Sequence, residues 1–324
     1  MSERPPNIGV DVSGLNGYSL SQKQMFLRCN FPVPNVLPEG FDIVMPDRAT
    51  RKVTAQTFFN YREVEIDMVL ECAGNGRTLM SPVPEGVAWG LGGVSPITVG
   101  GVRLVDVLGS IPESVVDLVF TGADGYQFSI DREMALSRRP ILATHIGGEP
   151  LDTQHGAPIR LFVPGHYAMK SVKWLMSIEG TPFPFRGHFV QKYRYYQDTS
   201  EAEREPVADI AVRSIISSPV EGDTFTEGGM DVRGSAWSGK GEITAVEVSI
   251  DGGESWLPTD LVVREVGGRF APVRWAVTFD VEPGSVEIIA RATDSTGETQ
   301  PLESRWNVNG YANNVVHRIV VEVS

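Results

Sequence analysis

Glycine and proline interrupt the chain along its whole length, with 34 and 22 copies respectively among 324 residues. Both are poorly tolerated inside helices, so regular elements must be short. Between them, most apolar segments are short and alternate with polar residues, as strands with one buried face do. The sequence therefore predicts a protein dominated by sheet, with short helices at Leu20–Leu27, Val102–Leu108 and Asp131–Leu136.

The length suggests two domains, and the charged stretch Asp198–Glu205, which ends at Pro206, is the predicted linker. Beyond it, roughly seven short strands separated by turns are typical of an immunoglobulin-like sandwich. We predict an α+β chain, in which a mixed α/β domain over residues 1–205 precedes an immunoglobulin-like all-β domain over residues 206–324. Strands of the second domain are expected at Met230–Gly234, Thr244–Ile250, Trp275–Asp280, Val286–Thr293 and Val315–Val323.

One strand of the first domain carries the residue of greatest chemical interest. Val64, Ile66, Met68, Leu70 and Cys72 share one face of this strand, which an Ala-Gly-Asn-Gly turn follows. Glu65, Asp67 and Glu71 lie on the opposite face, so Cys72 is expected to end the strand and point inward. Further strands are predicted at Val115–Thr121, Ile141–Ile146, Ile159–Pro164 and Ser171–Ile178.

Charge and composition exclude several classes of protein. The net charge of −13 provides no sustained basic stripe for nucleic acid. Two cysteines cannot form a disulfide framework, and the five scattered histidines lack zinc-ligand spacing. We expect a soluble protein without a membrane span, because no uncharged apolar run is long enough. The N-terminus lacks the features of an export signal, which predicts a cytoplasmic location, or a periplasmic one if a leader was removed.

Polar groups concentrate at two places in otherwise apolar sequence. Cys72 lies beside the backbone N–H groups of a glycine turn, with Arg77 five residues on, where a thiolate would be stabilised. Such a thiolate can act as a nucleophile or complete the coordination of a metal; the alternative is a structural buried cysteine. His155, Arg160 and Lys173 interrupt apolar strands. They either bind an anion such as a phosphorylated cofactor or face solvent.

Several distinctive sequence blocks follow one another along the chain. Those of the first half are Leu70–Arg77, Trp89–Gly90, Gly101–Leu108, His155–Arg160, Val163–Gly165 and Ser171–Leu175. Those of the second half include Gly234–Gly239, Val246–Trp256, Arg291–Ser295 and Trp306–Asn307. In this order the first set resembles the molybdopterin-binding domain of the sulfite oxidase family, and the second set resembles that family's dimerisation domain. The likeness extends from Phe26 to the C-terminus.

The resemblance implies a molybdenum cofactor bound through molybdopterin, with Cys72 as the protein ligand to the metal. It implies catalytic roles for Cys72, Arg28, Arg77 and Tyr195, of which Arg77 would line an anion pocket. Either Arg269 or Arg274 would reach the pocket from the second domain. The residues implied in cofactor binding are Phe26, Arg28, Asn30, Cys72, Asp124, His155, Arg160, Ser171 and Lys173.

The resemblance also implies oxygen-atom transfer to a small anionic substrate, with sulfite or a related sulfur oxo-anion oxidised to sulfate. Electrons would pass to a separate acceptor, for which a cytochrome c is a candidate, and the second domain would form a homodimer. Many sulfite-oxidising members carry histidine where Asn30 falls, and lysine near Val87. These departures keep two alternatives open: a nitrate or sulfoxide reductase of the same family, and a non-catalytic protein that binds the cofactor or a partner.

Overall fold

The computed structural model describes residues 7–17, 19–194, 205–262 and 268–324. Sheet dominates, as predicted. Most of the proposed linker Asp198–Glu205 lies outside the described residues. The strands of the first half are β1 (Asn7–Ile8), β2 (Leu27–Arg28), β3 (Gly40–Met45), β4 (Arg48–Thr54), β5 (Glu63–Glu71), β6 (Val94–Arg103), β7 (Asp117–Gly122), β8 (Gln127–Asp131), β9 (Ile141–Ile146), β10 (Glu149–Pro150), β11 (Arg160–Phe162) and β12 (Leu175–Thr181).

Two five-stranded sheets form the frame of the first half. One has the order β10-β9-β6-β5, with β11 also pairing to β9, and the other has the order β4-β3-β12-β7-β8. A small sheet of β1 and β2 lies beside them. The short helices are α1 (Ala55–Phe58), α2 (Leu104–Leu108), α3 (Arg132–Ser137) and α4 (His188–Lys192), with 3-10 turns at Val12–Asn16, Gln22–Gln24, Arg77–Leu79 and Ala168–Lys170.

The second half is the predicted sandwich of two sheets, whose strands pair mostly antiparallel. A four-stranded sheet, β13-β15-β19-β18, faces a five-stranded sheet, β14-β21-β20-β16-β17, across an apolar core. Its strands are β13 (Arg213–Ser218), β14 (Thr224–Phe225), β15 (Gly228–Trp237), β16 (Ile243–Ser249), β17 (Leu257–Pro258), β18 (Asp260–Val262), β19 (Val273–Val281), β20 (Gly284–Asp294) and β21 (His317–Val323).

Two local predictions were wrong. The helix expected at Leu20–Leu27 is a 3-10 turn followed by β2; Met25, Phe26 and Leu27 are all buried in succession, which no single helix face allows. The strand expected from Ser171 starts only at Leu175, because Trp174 adopts a left-handed φ of 50° that breaks the extended chain.

The face of β5 opposite the predicted inward face is also buried at its end. Asp67 is 6% exposed, and Glu71 is fully buried against Arg213 and Trp237 of the second half. The main core of the first half includes Ile215 and Trp237 from the second half, so the halves share a continuous apolar contact. The described helices fall short of the length and apolar content that crossing a bilayer requires.

Candidate active site

A pocket enclosing about 670 Å³ of space, part of it open to solvent, lies in the first half. Its lining residues come from the β2 region, the end of β5, and the loops around β11 and β12. All nine residues that the sequence implicated in cofactor binding line this one pocket. They are Phe26, Arg28, Asn30, Cys72, Asp124, His155, Arg160, Ser171 and Lys173.

Cys72 directly follows β5, so the strand ends one residue earlier than the sequence predicted. Its N–H donates to the Gly93 carbonyl at 2.8 Å, and its own carbonyl accepts from Asn75 N–H at 2.9 Å, so the chain turns at once. Gly76 closes the turn with a φ of 80°, a conformation that favours glycine. The thiol is thereby fixed in the pocket wall at the mouth of a backbone loop.

The electrostatics at Cys72 come from burial and from two arginines. Burial raises the pKa of the thiol, while a hydrogen bond from the Gly74 backbone and the positive charges of Arg28 and Arg77 act in the opposite direction. A cation bound at the sulfur would favour the thiolate further. The position is therefore suited to a metal ligand.

Three cationic or polar side chains meet at another part of the pocket. Arg160 is 3% exposed, and one Nη donates to the His155 carbonyl at 3.0 Å. Its Nε has no hydrogen-bond partner among the described residues. Lys173 Nζ donates to the Gln154 carbonyl at 2.7 Å and lies 3.3 Å from Cys29 Sγ. Buried cations with donors to spare are suited to an anionic ligand such as phosphate.

Burial is the main cause of the pKa shifts in this cationic group. It lowers the pKa of Arg160 to about 10 and that of Lys173 to about 8, with Arg160 lowering the latter further. Burial and the Arg160 charge lower the pKa of His155 to about 4, so this imidazole is neutral at pH 7. Its Nε2 lies 2.9 Å from the Gln22 carbonyl and therefore carries the proton.

Glycine at position 156 permits the close approach of two of these chain segments. Its φ is 109°, and a Cβ there would lie 3.0 Å from Lys173 Cβ. Ser171, also buried, follows the 3-10 turn at Ala168–Lys170 and completes this part of the lining. The backbone thus brings His155 and Lys173 together although 17 residues separate them.

The opposite part of the pocket presents Arg28, Asn30 and Tyr193. Arg28 donates to the Asn30 side-chain oxygen at 2.9 Å, and Tyr193 lines the same pocket. Burial is the main cause that raises the pKa of this tyrosine, and the Cys72 and Tyr311 groups raise it further. Tyr193 therefore remains protonated and can donate a hydrogen bond to an anion.

Several predicted residues lie elsewhere. Arg77 is not among the described lining residues, because its guanidinium donates to the carbonyls of Asn309, at 2.9 and 3.1 Å, and of Val87, at 2.6 Å. Tyr195 lies outside the described residues. Neither Arg269 nor Arg274 lines the described pocket; Arg269 donates to the Lys240 carbonyl, and Arg274 lies in β19.

Asp124 does line the pocket, but one of its carboxylate oxygens accepts from Tyr126 N–H at 3.0 Å. Burial raises its pKa. Eight further lining residues had not been singled out as cofactor-binding, and four of these carry a thiol or an aromatic ring: Cys29, Tyr126, Trp174 and Tyr193. Cys29 and Trp174 directly neighbour residues that had been singled out, a signal that could have identified them. Tyr126 and Tyr193 offered no local signal, since their placement depends on distant packing.

Within the described residues, no cluster of three or more histidine, cysteine or acidic side chains could hold a metal ion. Cys72 would therefore need ligands from a bound organic group. The profile of the family described as oxidoreductase molybdopterin binding domain matches residues 30–189. That described as Mo-co oxidoreductase dimerisation domain matches residues 204–324.

Sulfite oxidase from Gallus gallus is 31% identical over an alignment that covers 98% of this chain and 76% of that protein. The chain belongs to the sulfite oxidase family of molybdopterin-dependent oxidoreductases, as the sequence blocks predicted. Nitrate reductase [NADH] 1 from Oryza sativa subsp. japonica is 34% identical, with 80% of this chain and 33% of that protein covered.

The crystal structure of the sulfane dehydrogenase SoxCD from Paracoccus pantotrophus has the same fold. The TM-score is 0.84 at 22% sequence identity, with 97% of this chain and 85% of that chain covered. The present chain spans 64% of the length of the mammalian sulfite oxidases that it matches. The fold and the family are therefore defined by independent comparisons of sequence and structure.

Proposed function

We propose that this protein is a molybdenum-cofactor oxidoreductase that oxidises sulfite or a related sulfur oxo-anion. In the overall reaction, sulfite and water give sulfate, two protons and two electrons, which pass to a separate acceptor. The observation that carries the proposal is the convergence of Cys72 and a cationic group on one pocket. Membership of the family supplies the class of chemistry.

The pocket residues fit the cofactor that the family uses. Arg160 and Lys173 provide buried positive charge and spare donors for a phosphate, with His155 and Ser171 beside them. Cys72 would hold molybdenum and Phe26 and Asp124 would contact the pterin. When bound, the cofactor supplies two-electron redox chemistry and the remaining sulfur ligands of the metal.

The substrate would enter between Arg28, Asn30 and Tyr193. Arg28 remains charged at working pH and attracts the anion, while the Tyr193 hydroxyl is available as a donor. Arg77 would act from behind the Cys72 loop, through its charge, rather than by direct contact with substrate. A role for Tyr195, and for Arg269 or Arg274, stays a prediction.

The domain organisation that we propose places the cofactor site in residues 1–205 and a dimerisation domain in residues 206–324. The match of the two family profiles to residues 30–189 and 204–324 supports this division. A homodimer, tested by light scattering after gel filtration, follows from the second profile. A basic cytochrome c is the acceptor that we propose, because the protein carries a net charge of −13. Cell fractionation would test the expected cytoplasmic location.

The decisive test is an assay of protein purified from a host that makes the cofactor. We expect about one molybdenum per chain, and sulfite-dependent reduction of ferricyanide as an artificial one-electron acceptor. A folded, metal-free protein from that host would contradict the proposal and support a non-catalytic role. A protein that contains molybdenum but does not oxidise sulfite would support the proposed cofactor site and contradict sulfite as the substrate.

A reductase that uses the same centre is the second candidate. Asn30 stands where many sulfite-oxidising relatives carry histidine, and the likeness to a plant nitrate reductase is extensive. The discriminating assay supplies nitrate, and then a sulfoxide, with reduced viologen as the electron donor. Turnover there, combined with no sulfite oxidation, would replace the first candidate by the second.

A further inference from the structure

The residue before the candidate metal ligand is fixed by the second half of the chain. Glu71 is the last residue of β5, and its carboxylate is fully buried. One oxygen accepts from Arg213 Nε at 3.0 Å and from Asn75 Nδ2 at 3.0 Å. The other accepts from Trp237 Nε1 at 2.8 Å. Arg213 and Trp237 belong to β13 and β15 of the sandwich.

The loop beyond Cys72 is held from the same side. Ala312 N–H donates to the Ala73 carbonyl at 2.7 Å, and the Asn313 amide donates to the Gly76 carbonyl at 2.7 Å. The Arg77 side chain donates to the Asn309 carbonyl. The second half of the chain therefore contacts the residues on both sides of Cys72 in the sequence.

The Arg213–Glu71 contact is the ion pair in this set of contacts, with its two side chains 2% and 0% exposed. Removal of one partner of a buried ion pair is strongly destabilising, because the remaining charge is left buried without compensation. An unpaired Glu71 carboxylate would also lie beside the thiolate, where like charges repel. A displaced Glu71 would also weaken its hydrogen bond from Asn75, which in turn accepts from Gly93 N–H at 2.9 Å.

We propose that Arg213, through its ion pair with Glu71, positions the Cys72 thiolate for the metal. The second half of the chain thus takes part in the chemistry of the site besides its role in dimerisation. This inference rests on the proposed function in one respect, namely that Cys72 is the molybdenum ligand. Arg213 is a positioning residue, since Glu71 lies between it and the reacting centre.

The test compares R213M, the double variant E71Q/R213M and the control R233M. Arg233 lies in β15 and forms an exposed pair with Asp231, so its loss removes the same type of side chain from the same sheet. Hydrogen exchange of amides 72–77 is measured first, on cofactor-free protein. We expect at least tenfold faster exchange in R213M, a smaller increase in the double variant and no change in R233M.

The loaded proteins provide the second measurement. Residues that orient a metal ligand typically change activity by about 10- to 100-fold. For R213M we expect kcat per molybdenum to fall within that range, KM to stay within twofold, and the paramagnetic resonance spectrum of reduced molybdenum to change. The double variant should recover part of the loss, because it removes the unpaired charge, while the new amide has one acceptor oxygen for the two donors Asn75 and Trp237.

If R213M does not fold, W237F keeps the test possible, because it removes one hydrogen bond to Glu71 and retains the aromatic shape. It should show the same changes at smaller size. Unchanged exchange of amides 72–77 together with unchanged kcat per molybdenum in R213M would overturn the proposal. The same result in W237F would overturn it if R213M does not fold. If the wild-type chain holds no molybdenum, the proposed function fails, while the exchange measurement still decides whether Arg213 fixes the loop.

Discussion

The two halves of the chain meet at the Cys72 loop but contribute to it in different ways. All described residues that line the pocket lie between Phe26 and Tyr193, in the first half. Within the described residues, the second half contributes none of the lining and instead binds the back of the loop, through Glu71, Ala73 and Gly76. We therefore expect the first half to set the affinity for the ligand and the second half to set the position of Cys72, so substitutions in the two halves should have different signatures.

The largest effect should follow a change at the point where the halves meet. Cys72→Ser replaces the soft thiolate by a hydroxyl, a poor ligand for a soft metal site. Turnover should fall by more than about 100-fold, beyond the loss typical of residues that only orient a ligand. The pterin should stay bound, because its cationic site is distant in sequence and unaltered. Metal analysis, pterin fluorescence and steady-state rates measure the three quantities.

The other cysteine is the natural control for that change. Cys29→Ser keeps a polar atom near Lys173, so metal content should fall much less than in Cys72→Ser. The chain has only these two cysteines, and each variant therefore leaves a single thiol to titrate. Equal loss of metal in the two variants would reject the assignment of Cys72 as the ligand.

A substitution in the cationic part of the pocket should separate affinity from position. Arg160→Met removes charged hydrogen bonds, each worth about 1.5–3 kcal/mol, so the affinity for the cofactor should fall about 10- to 100-fold. Once loaded, the variant should retain near-normal kcat per molybdenum, since the Cys72 loop is untouched. Reconstitution of cofactor-free protein with increasing cofactor measures the affinity. A fall in kcat per molybdenum as large as the fall in affinity would contradict the separation.

The pKa of Lys173, lowered to about 8, predicts a pH dependence of anion binding. A bound anion stabilises the charged amine and raises its pKa, so the favourable contribution is complete below pH 8. It is lost as the pH rises above 8, by up to about tenfold in affinity per pH unit. Sulfate is the appropriate probe for calorimetry between pH 7 and 9, because its own charge is constant there.

Other groups that face Lys173 limit the range of that experiment. Arg160, with a pKa lowered to about 10, stays charged up to pH 9, and His155 stays neutral throughout. Cys29 and Asp124 also affect Lys173, so Cys29→Ser should be measured in parallel. Lys173→Met should bind sulfate more weakly and with no slope. A steep slope that persists in this variant would assign the titration to another group.

The residues that the sequence implicated in cofactor binding line one pocket, and most of them lie in short sequence blocks that can be read locally. Cys72, His155 and Lys173 each lie in a short, recognisable block, and that block identified them, while contacts with distant residues complete their placement. The sequence failed where distant packing decides. Alternation placed Glu71 on the face opposite Cys72, but it cannot reveal that this carboxylate is buried against Arg213 of the second half. Leu20–Leu27 failed similarly, since its apolar residues pack on several sides at once.

The smallest effect should come from an ion pair of the same chemistry at the surface of the second half. Arg318 and Glu287 lie 3.2 Å apart on neighbouring strands, 36% and 41% exposed. Solvent screens such pairs, so Arg318→Ala should change the free energy of unfolding by no more than about 0.5 kcal/mol. Urea titration measures this change, and kcat per molybdenum should equal that of the wild type. A lower kcat would mean that the surface of the sandwich also acts on the Cys72 loop. The buried Arg213–Glu71 contact alone would then not set the position of Cys72.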